Sequence, residues 1–255
     1  MKIFDSHTHI NSPEFSNDIP DVIERAHALD VTDMLVLADN KESNDRLQKL
    51  IVNYGHIYGA LGCHPDTAAD FGPQWEELIY QTLPKKGYVA LGEIGLDYHC
   101  DTPHDIQKRV FKRQIEIAQE FKLPVSIHTR DAFADTYEIL SQVPVEYGAI
   151  MHSFNGDADW AQKFLDLGFY LSYSGVVTFH NAPEVREAAL ATPDDRILVE
   201  TDAPYLTPMP FRGRMNEPGM TRYTLEFLAQ LRGVSAPQLA EQTWTNTKRI
   251  LRIHD

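Results

Sequence analysis

Near its start the chain reads Asp5-Ser6-His7-Thr8-His9. Side chains alternate along an extended segment, so His7 and His9 share a face and offer half of a metal site. Further polar groups recur downstream, each directly after an apolar run. They are Glu93 in Gly92-Glu93-Ile94-Gly95-Leu96-Asp97, His128 in Ile127-His128-Thr129-Arg130-Asp131, His152 in Met151-His152-Ser153-Phe154, and Asp202 in Glu200-Thr201-Asp202-Ala203-Pro204. Imidazoles and carboxylates at the ends of buried segments are costly unless paired or bound to a cation. His7, His9, Glu93, His128, His152 and Asp202 are therefore expected to be metal ligands. A bound divalent ion acidifies water enough to make a nucleophile at neutral pH, and Asp202 could take the released proton.

The elements that position these groups are apolar, β-rich runs at roughly 20–35-residue intervals, the spacing of successive βα units. They fall at residues 3–10, 33–38, 57–62, 89–94, 124–128, 148–152, 169–174 and 196–200. Several are nearly continuous in apolar residues, as buried parallel strands require. The intervening segments carry helical periodicity, with Val22, Ile23, Ala26 and Leu29 on one face of residues 18–29. Helices are likewise expected at 104–121, 158–167, 183–190, 220–231 and 236–251. This alternation predicts an α/β fold, a TIM-type (β/α)₈ barrel forming a single domain over residues 1–255, with its site at the C-terminal ends of the strands.

Composition narrows the function. The 255 residues include 37 acidic and 23 basic side chains, a net charge of −14, which excludes a protein that wraps nucleic acid over a broad basic surface. An enzyme gripping nucleic acid through a local site is still allowed. Cys63 and Cys100 lie far apart in no metal-like spacing, as in a reducing compartment. The N-terminus has the pattern of a strand rather than of a leader, and no run is long enough to span a membrane. A cytoplasmic protein is expected.

Taken in order, His7-Thr8-His9, Gly62-Cys63-His64-Pro65, 92–97, 128–131, 152–154, Thr201-Asp202-Ala203-Pro204-Tyr205 and Arg212-Gly213-Arg214-Met215-Asn216-Glu217-Pro218 resemble the motifs of TatD-type metal-dependent deoxyribonucleases across nearly the whole chain. The resemblance implies a barrel of the metallo-dependent hydrolase group holding two divalent ions. It implies His7, His9 and Asp202 on one ion, His128 and His152 on the other, and Glu93 bridging. The activity it implies is hydrolysis of DNA phosphodiesters, often 3′-to-5′ on single strands. Imidazole favours Zn, Mn, Fe or Ni, whereas carboxylate tolerates Mg and Mn, so the metal stays unassigned.

Arg212 and Arg214 follow the eighth strand, where barrels often hold phosphate; they either grip substrate or pair with surface acids. His64 either faces substrate or supports a ligand. Arg130 either touches phosphate or pairs with Glu200 or Asp131. Asp97 and Glu200 are expected to orient imidazoles. Asn216 and Glu217 could cap the following helix, and Cys63 is expected to be a packing residue. His27, His56, His99, His104, His180 and His254 are expected to be exposed. A rival reading keeps the barrel and metal but cleaves an ester, lactone or amide. Amidohydrolases of that kind are expected to bridge their ions with a modified lysine where this chain has Glu93. A second rival is a non-catalytic, metal-stabilised scaffold or nucleic-acid-binding protein; a purely structural site would close its coordination shell with four ligands, whereas six candidates leave positions open.

Overall fold

Eight apolar strands and the helices between them make up the chain in the order that the periodicity requires. The structure is a computed structural model that describes residues 1–254. The elements run β1 (Ile3–Thr8), α1 (Ile19–Ala28), β2 (Val31–Ala38), α2 (Lys41–Asn53), β3 (Ile57–Leu61), α3 (Pro73–Thr82), β4 (Tyr88–Asp97), α4 (His104–Phe121), β5 (Val125–Arg130) and α5 (Phe133–Gln142). They continue with β6 (Ala149–Met151), α6 (Ala158–Asp166), β7 (Tyr170–Tyr173), α7 (Pro183–Ala191), β8 (Ile197–Val199), α8 (Thr221–Arg232) and α9 (Ala236–Leu251). The strands form one eight-stranded parallel sheet in sequential order, which gives a (β/α)₈ barrel. β6 and β8 are shorter than expected, so His152, Glu200 and Asp202 lie just past the strands.

The barrel closes between β8 and β1 chiefly beyond the end of β8. His9 N donates to Ala203 O at 2.8 Å and Asp202 N to His7 O at 2.9 Å. Asp5 takes the place of further ladder bonds by accepting from Thr201 N and Thr201 Oγ1 at 2.9 and 2.6 Å. Two apolar layers hold the staves. Phe4, Leu35, Leu37, Ala60, Ala90, Ile150, Tyr170 and Leu198 fill the interior, joined by Ile250 and Leu251 of α9. Ile3, Leu91, Ile94, Ile127, Met151, Ile197 and Val199 face the helices. α9 passes beneath the barrel, where Asn246 Nδ2 donates to Asp194 O and Ile197 O at the start of β8. Among the described residues no helix is long and apolar enough to cross a membrane.

Of the register shifts between staves, two lie just below candidate ligands. From Asp5↔Met34 to Thr8↔Val36, β1 advances three residues while β2 advances two. From Leu91↔Val125 to Ile94↔Ile127, β4 does the same against β5. Each is a bulge of one extra residue, and such a residue reverses the face that later side chains occupy. Phe4 and Ala90 point into the barrel below the bulges; His7 and Glu93, at odd spacings from them, point inward above. The bulges thus turn these two candidate ligands toward the axis.

Candidate metal centre

His7, His9, Glu93, His128, His152 and Asp202 meet at the C-terminal rim, as expected from their places after apolar runs. Glu93 lies at the middle and is buried. Its Oε2 is 3.3 Å from His7 Nε2 and 3.4 Å from His9 Nε2. Its Oε1 is 2.7 Å from His128 Nδ1 and 3.1 Å from His152 Nε2. Asp202 Oδ1 approaches His7 and His9 Nε2 at 3.7 and 3.6 Å. The two Nε2 atoms of His7 and His9 stand 3.1 Å apart.

These spacings fit a cation. Donor atoms about 2.1 Å from a shared tetrahedral ion stand about 3.4 Å from one another. Three overlapping groups have this compactness: His7, Glu93 and His152; His7, His9 and Asp202; and His64, Glu93 and His128. Glu93 belongs to two of them, with its two oxygens turned toward different nitrogens.

The electrostatics show what a cation would relieve. Burial pushes the Glu93 carboxyl up, yet His152, His7 and His64 outweigh it and hold the group well below its ordinary range. Burial pulls His152 down, but Glu200, Glu93 and Asp202 raise it well above the usual imidazole value. His128 rises to about 9 and His9 to about 8, in each case because carboxylate contacts exceed the cost of burial. His7 falls to about 3 through burial and the charge of His152. Burial lifts Asp202 to about 6 and Asp5 to about 8. Protons on imidazoles thus supply the positive charge that metal ions would bring.

Supporting carboxylates fix the rings. Glu200 Oε1 lies 2.8 Å from His152 Nδ1 and accepts from Ser153 N at 2.8 Å. Asp97 Oδ2 lies 3.1 Å from His128 Nε2, and its carboxyl is lowered to about 2 as His128 and the His99 amide overcome burial. Asp131, Ser153 and Asp202 turn the chain sharply after their strands, with φ of 54°, 42° and 59°. Gly95, at φ 148°, is required where β4 meets β5, because a Cβ there would lie 2.0 Å from His128 O.

The remaining expectations divide. His64 is brought into the centre: its Nε2 is 3.7 Å from Glu93 Oε1, and its Nδ1 is 2.7 Å from Asp66 Oδ1. Arg130 is exposed and lines the cavity, and it pairs with neither Glu200 nor Asp131 among the described residues. Arg212 and Arg214 lie off the cavity lining; Arg212 packs on Phe179 at 3.8 Å and Arg214 sits 5.8 Å from the Phe211 ring. The loop carries them outward because aromatic faces, not the metal centre, receive the guanidiniums. Neither Asn216 nor Glu217 caps a helix by its side chain. Asn216 Nδ2 ties down Thr201 O, and Glu217 pairs with Arg25 of α1 at 2.8 Å. Cys63 is buried, its thiol pushed up to about 12 by burial. The six remaining histidines are exposed, though His99 lines the cavity and His104 stacks on Tyr98. Sequence reading passed over Arg46 and Tyr205, which also line this cavity of about 1000 Å³. Tyr205 carried a signal, since it ends the Asp202 motif, whereas Arg46 is one polar residue among many on α2.

An open barrel-end cavity around clustered imidazoles and carboxylates is the site of a metal-dependent hydrolase, here one that uses divalent metal. The chain belongs to the TatD-related DNase family, which matches over residues 4–252. It is 42% identical over 254 residues to the uncharacterized metal-dependent hydrolase YabD of Bacillus subtilis, covering 99% of this chain and 100% of that one. It is 34% identical over 263 residues to the 3′-5′ ssDNA/RNA exonuclease TatD of Escherichia fergusonii, covering 98% and 99%. The crystal structure of the TatD homolog YJJV from Escherichia coli superposes with a TM-score of 0.93 at 29% identity, over 99% of this chain and 98% of that one.

Proposed function

We propose that this hydrolase cleaves phosphodiester bonds of DNA, removing nucleotides from the 3′ end of a single strand with the help of two divalent ions. The carrying observation is Glu93, whose Oε2 faces His7 and His9 while Oε1 faces His128 and His152. His7, His9 and Asp202 would hold one ion, His128 and His152 the other, and Glu93 would bridge. Bound ions of this kind supply an acidified water and positive charge against the phosphate oxygens. The imidazole-rich set takes transition-metal ions more readily than Mg²⁺.

The chain's own residues then have distinct tasks. Asp202, beside His7 and His9, is the carboxylate placed to take the proton of the attacking water. Glu200 and Asp97 keep the His152 and His128 rings in place. His64, held by Asp66, faces the substrate beside Glu93. Arg130 presents a guanidinium fork to a phosphate oxygen in the cavity. Arg212 and Arg214 reach only a part of the strand outside it. The name of the Escherichia fergusonii relative supports the strand and direction chosen.

A second reading, hydrolysis of an ester, lactone or amide, is favoured by the carboxylates of Glu14, Asp39, Glu42 and Asp66 around the cavity, which repel a polyanion. Metal-stripped protein titrated with Mn²⁺, Mg²⁺ and Zn²⁺ against end-labelled single-stranded DNA separates the two, with Asp202→Asn run in parallel. Stepwise loss of 3′ nucleotides that needs metal and disappears in the variant is the expected result. Intact DNA together with metal-dependent cleavage of a simple ester or amide would replace it with the second reading.

A further inference from the structure

Among the acids of the cavity wall stand two guanidiniums, Arg46 and Arg130, and neither forms an ion pair with a carboxylate among the described residues. Other arginines also have no carboxylate partner among the described residues, but these two are the ones that line the cavity. Arg25, Arg113, Arg196, Arg222 and Arg232 all hold carboxylates. Arg46 is half-buried on α2, and its Nε donates to the carbonyl of Asn11. Asn11 is itself fully buried and fixed by Nδ2 bonds to Leu37 O at 2.9 Å and Ser43 O at 3.2 Å, while its Oδ1 has no partner. The stem of Arg46 is therefore held, and its two terminal nitrogens are unengaged among the described residues.

Tyr205 is a large aromatic left 61% exposed, yet it lines the same cavity. Its backbone is not loose. Tyr205 N donates to Asp202 O at 2.8 Å, and Tyr205 O accepts from the buried Asn216 amide. Glu14 lines the cavity with them. An open aromatic face on a tied-down backbone can stack a base of any identity, and a held guanidinium fork matches phosphate oxygens.

We infer that Tyr205 and Arg46 form a nucleotide subsite beside the metal centre, the ring stacking a base and the guanidinium gripping a phosphate next to the scissile one. Arg130 stands at the end of β5 and Arg46 on the helix after β2, so the two serve different phosphates along the strand. The inference rests on the proposed cleavage of DNA and specifies which groups hold the strand.

The test is fluorescence anisotropy with a labelled oligothymidylate bearing phosphorothioate linkages, titrated with the purified, metal-containing protein at several salt concentrations. Arg46→Ala should weaken binding about tenfold and lower the slope of log affinity against log salt by about 0.7, the contribution of one phosphate on a single strand. Arg46→Lys should restore the slope, and Arg196→Ala, a charge lost at the opposite end of the barrel, should leave it unchanged. Tyr205→Ala should weaken binding about tenfold, Tyr205→Phe should not, and an abasic terminal nucleotide should erase the difference. Unchanged binding and slope in Arg46→Ala and Tyr205→Ala, with wild-type protein degrading unmodified DNA, would overturn the subsite and leave the nuclease reading intact. Binding that depends on both residues without any cleavage of unmodified DNA would keep the subsite and remove the nuclease reading.

Discussion

Glu93, buried among imidazoles, is a charge that must be neutralised by protons or by metal. In the metal-free protein protons do this, since His9 and His128 titrate near 8 and 9. Metal must displace them, so metal binding at pH 7 should release protons and tighten as pH rises toward 9, which calorimetry in buffers of different ionisation enthalpy can count. The stability of the metal-free protein follows the same groups. Imidazoles raised above their unfolded value of about 6.5 contribute fully below that pH and lose the contribution as pH climbs through 8 to 9. Asp5, raised from 3.8 to about 8, acts in the same direction but over a wider range, losing its contribution progressively from about pH 4 until pH 8. The metal-free melting temperature should therefore fall between pH 7 and 9; a rise would mean that these imidazoles are neutral in the native state. Glu200→Gln should reduce metal affinity about 10–100-fold without unfolding the barrel, as removal of a ring-orienting carboxylate does elsewhere. At this scale the sequence was informative: Glu93, His128, His152 and Asp202 each followed an apolar run and met at one rim, and Asp97 and Glu200 stand beside imidazoles. His64 was less legible, because the Gly62-Cys63-His64-Pro65 motif says nothing about the neighbour, Asp66, that turns its ring.

Strands and helices were readable from periodicity, but the two bulges were not. Strict alternation carried upward from Ala90 places Gly92 and Ile94 inside and Glu93 outside, the reverse of what the extra residue in β4 produces. An apolar strand buried on both faces gives no hydropathy signal for such a shift in phase. Gly95 belongs to this part of β4, and Gly95→Ala should cost roughly 2 kcal/mol or more, because the new methyl meets a backbone carbonyl rather than a side chain that can move. A thermal shift of several degrees, with weakened metal uptake, is the expected measurement.

At the scale of the molecule the fold was plain from eight alternating units, whereas the destination of the loop after β8 was not. Arg212 and Arg214 lie in a phosphate-like context in the sequence, but Phe179 and Phe211 draw them away from the cavity. The net charge of −14 has its own consequence, because an acidic body repels a polyanion at long range. Raising salt from very low ionic strength should first speed association of DNA by screening that repulsion. Only at higher salt should it weaken binding at the local contacts. A rate that falls monotonically from the lowest salt would show that the grip, not the repulsion, dominates throughout. The passage of α9 beneath the filled interior bears on how digestion proceeds. The cavity is a blind well, so a strand cannot be threaded through it as through a ring. On the proposed exonuclease reading, a freed nucleotide would leave by the opening through which the strand came. Nothing would encircle the strand between cleavages, so on that reading a time course should show a ladder of intermediate lengths rather than full-length strands beside mononucleotides.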